Sequence, residues 1–344
     1  MGELLADHTT LRLGGPASEY RRVTDTDELV AAVAEADAGR TPLLLLGGGS
    51  NLVVSDEGFP GLVLDIATTG VEVEADACGG AMVTVAAGEV WDDLVARAVT
   101  EGWVGIEALS GIPGSVGATP IQNVGAYGQE VADTVARVRT WDRKDGVIRT
   151  FAAAECGFGY RTSRFKADPA RYVVLSVTFQ LRLGDIGAPV QYAELARTLG
   201  VDVGERAPLA DVRAAVLRLR RGKGMVLDEA DHDTWSAGSF FTNPVVGVDE
   251  VPDGAPSWPQ PDASTRSGRR VKTSAAWLIE HAGFGKGYGE GGVRLSTKHT
   301  LALTNRGGAT TKELLALAAE VRDGVREKFG ITLVNEPVLV GCSL

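Results

Sequence analysis

At 344 residues, with about 150 residues to a domain, the chain is long enough for two or three domains, and its 44% hydrophobic and 23% charged residues exclude disorder. Glycine is the outlier, 44 residues or about 13% against a usual ~7%, but with no G-X-Y period and only 14 prolines; collagen is excluded and the glycines belong in ordered loops. Lys and Arg number 34 against 45 Asp and Glu, a net charge of −11 that argues against a surface for coating nucleic acid.

Residues 24–39 predict a helix, with a capping residue, early acids, apolar Leu29, Val30 and Val33, and a terminal Gly39. An apolar run, Pro42 to Leu46, predicts a buried strand that breaks at Gly47-Gly48-Gly49-Ser50-Asn51 and resumes as Leu52-Val53-Val54. Residues 62–66 are a further short strand, so residues 1–68 read as a small α/β unit. From Val71 two-residue alternation takes over, and Gly88-Glu89-Val90 opens an amphipathic helix through Trp91, Leu94, Val95 and Ala98. The stretch 105–128 has neither period and is long enough to be a functional loop. Alternation returns at 135–141 and 172–179, giving residues 69–205 the look of an α+β unit rich in antiparallel strands.

Residues 206–344 predict a third domain, α/β or α+β. Its elements are a helix at 208–221, a Pro-rich surface insert at 252–261, helices at Ser274–His281 and Thr310–Phe329, and strands at His299–Thr304 and Ile331–Val340, the last of which can pack back on the first domain. Cys78, Cys156 and Cys342 form no disulfide or metal framework. His8, His232, His281 and His299 have no ligand spacing, so no metal is expected. The N-terminal residues hold no apolar core of signal-peptide length and nothing approaches the ~18 apolar residues of a membrane span. A cytoplasmic monomer without membrane or nucleic-acid partners is expected.

Glycines at 47–49 after a strand allow backbone N–H groups to converge on a phosphate, and equally allow a tight structural turn. No Gly-Lys-Ser/Thr follows, and the spacing is not that of a dinucleotide fingerprint. The second glycine-rich stretch, 111–128, adds weight to a cradle, because two such loops suit a ligand with a pyrophosphate and a flat ring. Ser115, Gly117, Ala118 and Gly125 leave room for an aromatic cofactor, and Gln122 and Asn123 can read its polar edge.

In this order, LLLGGGSNL (44–52), GIPGSVGATPIQNVGAYG (111–128), CGFGYRTSRFK (156–166), GSFFTNP (238–244) and NEPVLVG (335–341) resemble the bacterial UDP-N-acetylenolpyruvoylglucosamine reductase family. The resemblance implies an α+β chain: a two-subdomain FAD-binding fold like that of vanillyl-alcohol oxidase, followed by a separate α/β substrate domain. It implies non-covalent FAD, NADPH as reductant and a UDP-sugar enolpyruvyl ether as substrate. FAD would be held by Gly47, Gly48, Gly49, Ser50, Asn51, Ser115, Gly117, Gln122, Asn123, Gly125 and Tyr127.

It also implies that Arg161 grips the substrate carboxylate, for which a planar guanidinium fork is suited. Ser239 would protonate the carbanion and Glu336 would assist from the opposite side. Tyr160, Tyr192, Lys223 and Asn243 match substrate-pocket positions, and Tyr192 in its insert points to the subclass with a substrate-capping loop. An alcohol or sugar oxidase on the same scaffold would be expected to need a base at the flavin and no acid serine.

Overall fold

The computed structural model describes residues 2–76, 79–259 and 270–344. Cys78, Arg269 and the end of the Pro-rich insert (260 and 261) lie outside the described residues.

The first unit runs β1 (Ala17–Val23), α1 (Thr26–Gly39), β2 (Leu43–Leu46), β3 (Leu52–Val54) and β4 (Phe59–Ile66). Asp25 caps α1 by accepting the N–H groups of Asp27 and Glu28. The left-handed cap at its far end is Arg40, φ 54°, one residue beyond the expected Gly39, because the Arg40 and Thr41 N–H groups fold back onto Asp37 O and Ala36 O. β1, β4 and β2 form a parallel sheet in that order. Leu29 and Val33 of α1 pack with Leu62 and Leu64 and with Val173 and Leu175 of the next unit, so the first two units share a core.

The second unit comprises β5 (Val71–Asp76), β6 (Gly80–Ala86), α2 (Trp91–Thr100), β7 (Trp103–Val104), α3 (Thr119–Gln122), β8 (Gly125–Ala126), β9 (Gln129–Glu130), β10 (Val135–Asp142), β11 (Val147–Ala152), α4 (Arg164–Ala167) and β12 (Tyr172–Leu183). Its antiparallel sheet has the order β11-β10-β12-β6-β5, with β7 beside the end of β12. Trp91 of α2 packs against Phe179 of β12, ring centroids 5.8 Å apart, and its Nε1 donates to Leu109 O at 3.2 Å. Burying such a ring stabilises the fold by ~2–3 kcal/mol and ties the 105–128 loop to the sheet.

The remaining elements are α5 (Ala193–Leu199), α6 (Leu209–Gly222), β13 (Val245–Gly247), β14 (Ser257–Pro259), β15 (Arg270–Thr273), α7 (Ala275–His281), β16 (Val293–Leu295), β17 (Leu303–Asn305), α8 (Thr311–Phe329) and β18 (Val338–Val340). α5, which falls within the expected 69–205 unit, and α6, which lies beyond it, share a small core with Ala108, so packing runs across the expected boundary at 205. Two expected strands are much shorter than the sequence suggests. The His299–Thr304 strand reduces to β17, because Ser296 Oγ accepts the N–H groups of Lys298 and His299 and turns that stretch into a tight loop. The Ile331–Val340 strand reduces to β18, because Pro337 offers no N–H and the residues before it bond instead to the 240–242 segment. Part of the Pro-rich insert, expected as bare surface, forms β14 and pairs with β15.

Strand pairing, helix capping and a shared core that includes Leu11, Leu13 and Val53 tie the last unit to the first. β18 pairs in parallel with β3, and the Asp56 carboxylate accepts the N–H groups of Thr311 and Lys312 at the start of α8, at 2.7 and 3.0 Å. Among the described residues no helix is long and apolar enough to cross a membrane.

Candidate active site

The two glycine loops lie back to back. A Cβ added at Gly48 would stand 2.6 Å from Gly114 Cα, one at Gly49 1.8 Å from His8 O, and one at Gly117 2.5 Å from Ala87 Cβ. Gly49 and Gly114 also have positive φ, 59° and 120°. Ser50 Oγ locks the pair by donating to Pro113 O at 3.0 Å, and Ser115 is buried, bridged to Val90. Close packing thus accounts for much of this glycine. Yet among the described residues no acceptor takes the backbone N–H groups of Gly48, Gly49, Ser50 and Asn51. Four successive unspent donors at the end of a parallel strand suit a diphosphate, so the loop fits the phosphate bridge of FAD.

From this cradle the chain leads to a charged cluster. Glu336 is positioned by backbone pairing: its N–H donates to Phe240 O at 2.8 Å, and Asn335 bridges Phe241. Ser239 therefore sits one residue from the Glu336 contact; it is half-buried, and its hydroxyl has no hydrogen-bond partner among the described residues. Asn51 of the glycine loop approaches Glu336 O, Nδ2 at 3.5 Å. On the side chain, Glu336 Oε1 receives Gln122 Nε2 at 3.0 Å and Arg161 Nε at 3.2 Å.

Arg161 has φ 52°, and Asn123 and Tyr127 are also left-handed at 44° and 51°. Non-glycine residues so held cost ~1–2 kcal/mol each, and clustering of such strain is a mark of functional sites. The Arg161 fork is partly engaged: NH1 donates to Asn123 O at 3.3 Å and NH2 to Gly125 O at 2.7 Å. One N–H on each terminal nitrogen is left over, enough to meet a carboxylate end-on. A Cβ at Gly125 would stand 2.7 Å from Glu130 Cγ, 3.0 Å from Gln129 O and 3.1 Å from Arg161 NH1, so a side chain there would press on the Arg161 fork.

Asn123, expected to read a cofactor edge, is 1% exposed and spends its side chain on Glu130, Gly159 O and the Ala132 N–H; its backbone carbonyl is what reaches the site. Burial raises the Tyr160 phenol above its ordinary range, and Lys272 Nζ lies 4.3 Å from its ring centre. A cleft of about 920 Å³ opens here, lined among others by Tyr160, Arg161, Lys166, Asn243 and Arg270. Asn243 is oriented by the Ala275 N–H, donated to its Oδ1 at 2.9 Å.

Tyr192 and Lys223 come together around Tyr127. The two tyrosine rings meet edge-on, centroids 5.9 Å apart, and Lys223 Nζ is 5.6 Å from the Tyr127 ring centre. Burial pushes the Tyr127 phenol up to about 12. Tyr192 is 48% exposed, and Lys223 is paired with Glu194 at 2.5 Å. Lys166 and Lys272, absent from the expected site residues, belong instead to the Arg161 cluster: Lys166 lines the cleft beside Arg161, and Lys272 lies over Tyr160. Lys166 lies inside the quoted segment CGFGYRTSRFK, five residues after Arg161, and that proximity is the signal that could have found it.

Residues 17–152 match a family model described as FAD binding domain, and residues 229–340 one described as UDP-N-acetylenolpyruvoylglucosamine reductase, C-terminal domain. The chain is 59% identical over 343 residues to the UDP-N-acetylenolpyruvoylglucosamine reductase of Cutibacterium acnes, covering 99% of this chain and 90% of that one. It is 58% identical over 347 residues to the enzyme of the same name from Thermobifida fusca, covering 99% and 97%. The crystal structure of UDP-N-acetylenolpyruvylglucosamine reductase from Thermus caldophilus matches with a TM-score of 0.67 and 28% identity over 98% of this chain and 97% of that one. The expected fold, an FAD-binding part followed by a separate C-terminal domain in a mixed helix and sheet chain, agrees with these matches. The chain belongs to the UDP-N-acetylenolpyruvoylglucosamine reductase family and is an FAD-binding oxidoreductase.

Proposed function

We propose that this protein uses NADPH to reduce the enolpyruvyl ether of a UDP-N-acetylglucosamine substrate to UDP-N-acetylmuramate, a cytoplasmic step in making peptidoglycan precursors. The observation that carries this reading is the convergence of Arg161 and Gln122 on one oxygen of Glu336, beside the segment that presents Ser239. FAD, when bound, supplies hydride transfer from the nicotinamide to the β-carbon of the enol ether.

The backbone of Gly47, Gly48, Gly49, Ser50 and Asn51 would hold the cofactor's diphosphate, and the loop carrying Ser115, Gly117, Gln122, Gly125 and Tyr127 would flank its ring. The two remaining Arg161 donors hold the substrate carboxylate and draw off the negative charge that develops at the α-carbon. Ser239, with no competing partner, delivers its proton to that carbon and is re-protonated by relay; a serine is a weak acid, so the role depends on a strongly basic carbanion. Glu336, paired with Arg161 Nε, assists from the opposite side by holding the guanidinium that takes up this charge. Tyr160 and Asn243 shape the pocket wall, while Tyr192 caps the substrate and Lys223 exchanges Glu194 for its diphosphate. NADPH occupies the same space in turn.

The test is mass spectrometry of the sugar nucleotide after incubation with holoenzyme and NADPH. A product heavier by two hydrogens is expected, and an unaltered enol ether would count against the proposal. Acid denaturation should release the FAD into the supernatant, since no histidine lies in either glycine loop; a yellow precipitate would contradict the non-covalent assignment.

A further inference from the structure

Resting on the reading of Glu336 given above, we propose that Lys166 is a positioning residue: it fixes the Gln122 amide so that its NH2, and not its carbonyl, faces Glu336, and so leaves Glu336 Oε2 as the oxygen offered to the substrate. Lys166 Nζ lies 2.7 Å from Gln122 Oε1 and 3.0 Å from Arg161 O. It thus stands behind both residues that reach Glu336 Oε1. Glu336 Oε2 has no hydrogen-bond partner among the described residues.

The amide orientation follows from the partners. An ammonium carries donors only and an ionised carboxylate carries acceptors only, so a carboxamide between them has one favourable sense. The reversed amide would set NH2 against the ammonium and C=O against the carboxylate, losing both bonds at once. Without Lys166 that directional constraint is lost on one side, and the Gln122 amide is free to turn over.

The backbone of Lys166 is tied to the segment that carries Gln122. It sits in the single turn of α4, where Ser163 Oγ accepts its N–H at 3.2 Å. The same hydroxyl donates to Ile121 O at 2.7 Å, next to Gln122. Among the described residues no carboxylate forms an ion pair with Lys166 Nζ, whereas a lysine kept for stability alone would be expected to find one. Burial and the neighbouring Arg161 hold its ammonium below the ordinary lysine range, with Glu336 opposing, a cost consistent with a place in the site.

The experiment compares Lys166→Met, Lys166→Arg, Gln122→Ala and the Lys166→Met/Gln122→Ala double variant as FAD-loaded enzymes, with Lys166→Gln replacing the Met variant should it fail to fold. Lys166→Met is expected to lower kcat about tenfold, keep KM within about twofold and leave the rate of flavin reduction by NADPH unchanged. Lys166→Arg should recover most of the loss. The double variant should be no slower than Gln122→Ala alone, because a residue acting through another adds nothing once that one is gone. A rise in KM at constant kcat would make Lys166 a substrate ligand and overturn the proposal, as would additive losses or a wild-type rate in Lys166→Met. A wild-type enzyme that leaves the enol ether untouched would instead overturn the reductase reading.

Discussion

Arg161 Nε stands 3.2 Å from Glu336 Oε1, so the cation and the acid expected to act on one substrate also hold each other. The pair joins a left-handed turn of the second unit to the loop before the last strand. Arg161 Nε is spent on Glu336 while the terminal nitrogens donate to Asn123 O and Gly125 O.

Arg161→Lys should therefore be severe. A single ammonium cannot serve Glu336, two carbonyls and a substrate carboxylate together, and kcat/KM should fall by about 100-fold or more while FAD content stays near wild type. Steady-state kinetics with flavin absorbance decides it, and a loss below about threefold would show that charge alone suffices.

The glycine loop predicts a graded series in cofactor retention. At Gly49 a methyl group meets backbone, His8 O at 1.8 Å, and φ is 59°; at Gly47 it meets only the Ser115 hydroxyl at 2.6 Å. Gly49→Ala should weaken FAD binding by at least about tenfold and Gly47→Ala much less, since a side chain can turn aside and backbone cannot. Flavin-to-protein absorbance ratios after gel filtration measure this, and the reverse order would contradict the packing account.

His299 predicts an acid limb in stability. Burial brings its imidazole down to about 4, helped by the nearby ammonium groups of Lys223 and Lys286 and opposed by Glu194. In the unfolded chain it titrates near its ordinary ~6.5, so between those values the unfolded state takes up a proton that the folded state refuses. The contribution is intact above about 6.5 and falls as the pH drops toward about 4, by at most ~1.4 kcal/mol per pH unit. Urea unfolding at about pH 7 and about pH 5 should show wild type losing more stability than His299→Gln. Equal losses would place the acid sensitivity elsewhere.

Local signals carried well from sequence to structure where the cause is local. Helix caps at Asp25, Ser274 and Thr310 and the alternation of the second sheet are set by neighbours a few residues away. What escaped depends on partners far along the chain. The expected last strand is mostly loop because 240–242 takes its hydrogen bonds, and Asp56 caps a helix that starts 255 residues later. Within the site, the motifs name Arg161, Ser239 and Glu336, but not that Arg161 is already engaged or that Asn123 faces inward. Both facts come from left-handed turns that composition does not announce.

The most direct test of the central claim is anaerobic double-mixing stopped flow on Ser239→Ala beside wild type. Flavin absorbance should bleach with NADPH at nearly the same rate in both. On adding the enolpyruvyl UDP-sugar it should return quickly in wild type and about 100- to 10,000-fold more slowly in the variant, the range expected for loss of a positioned acid. Equal slowing of both phases, or return at the wild-type rate, would contradict Ser239 as the proton donor.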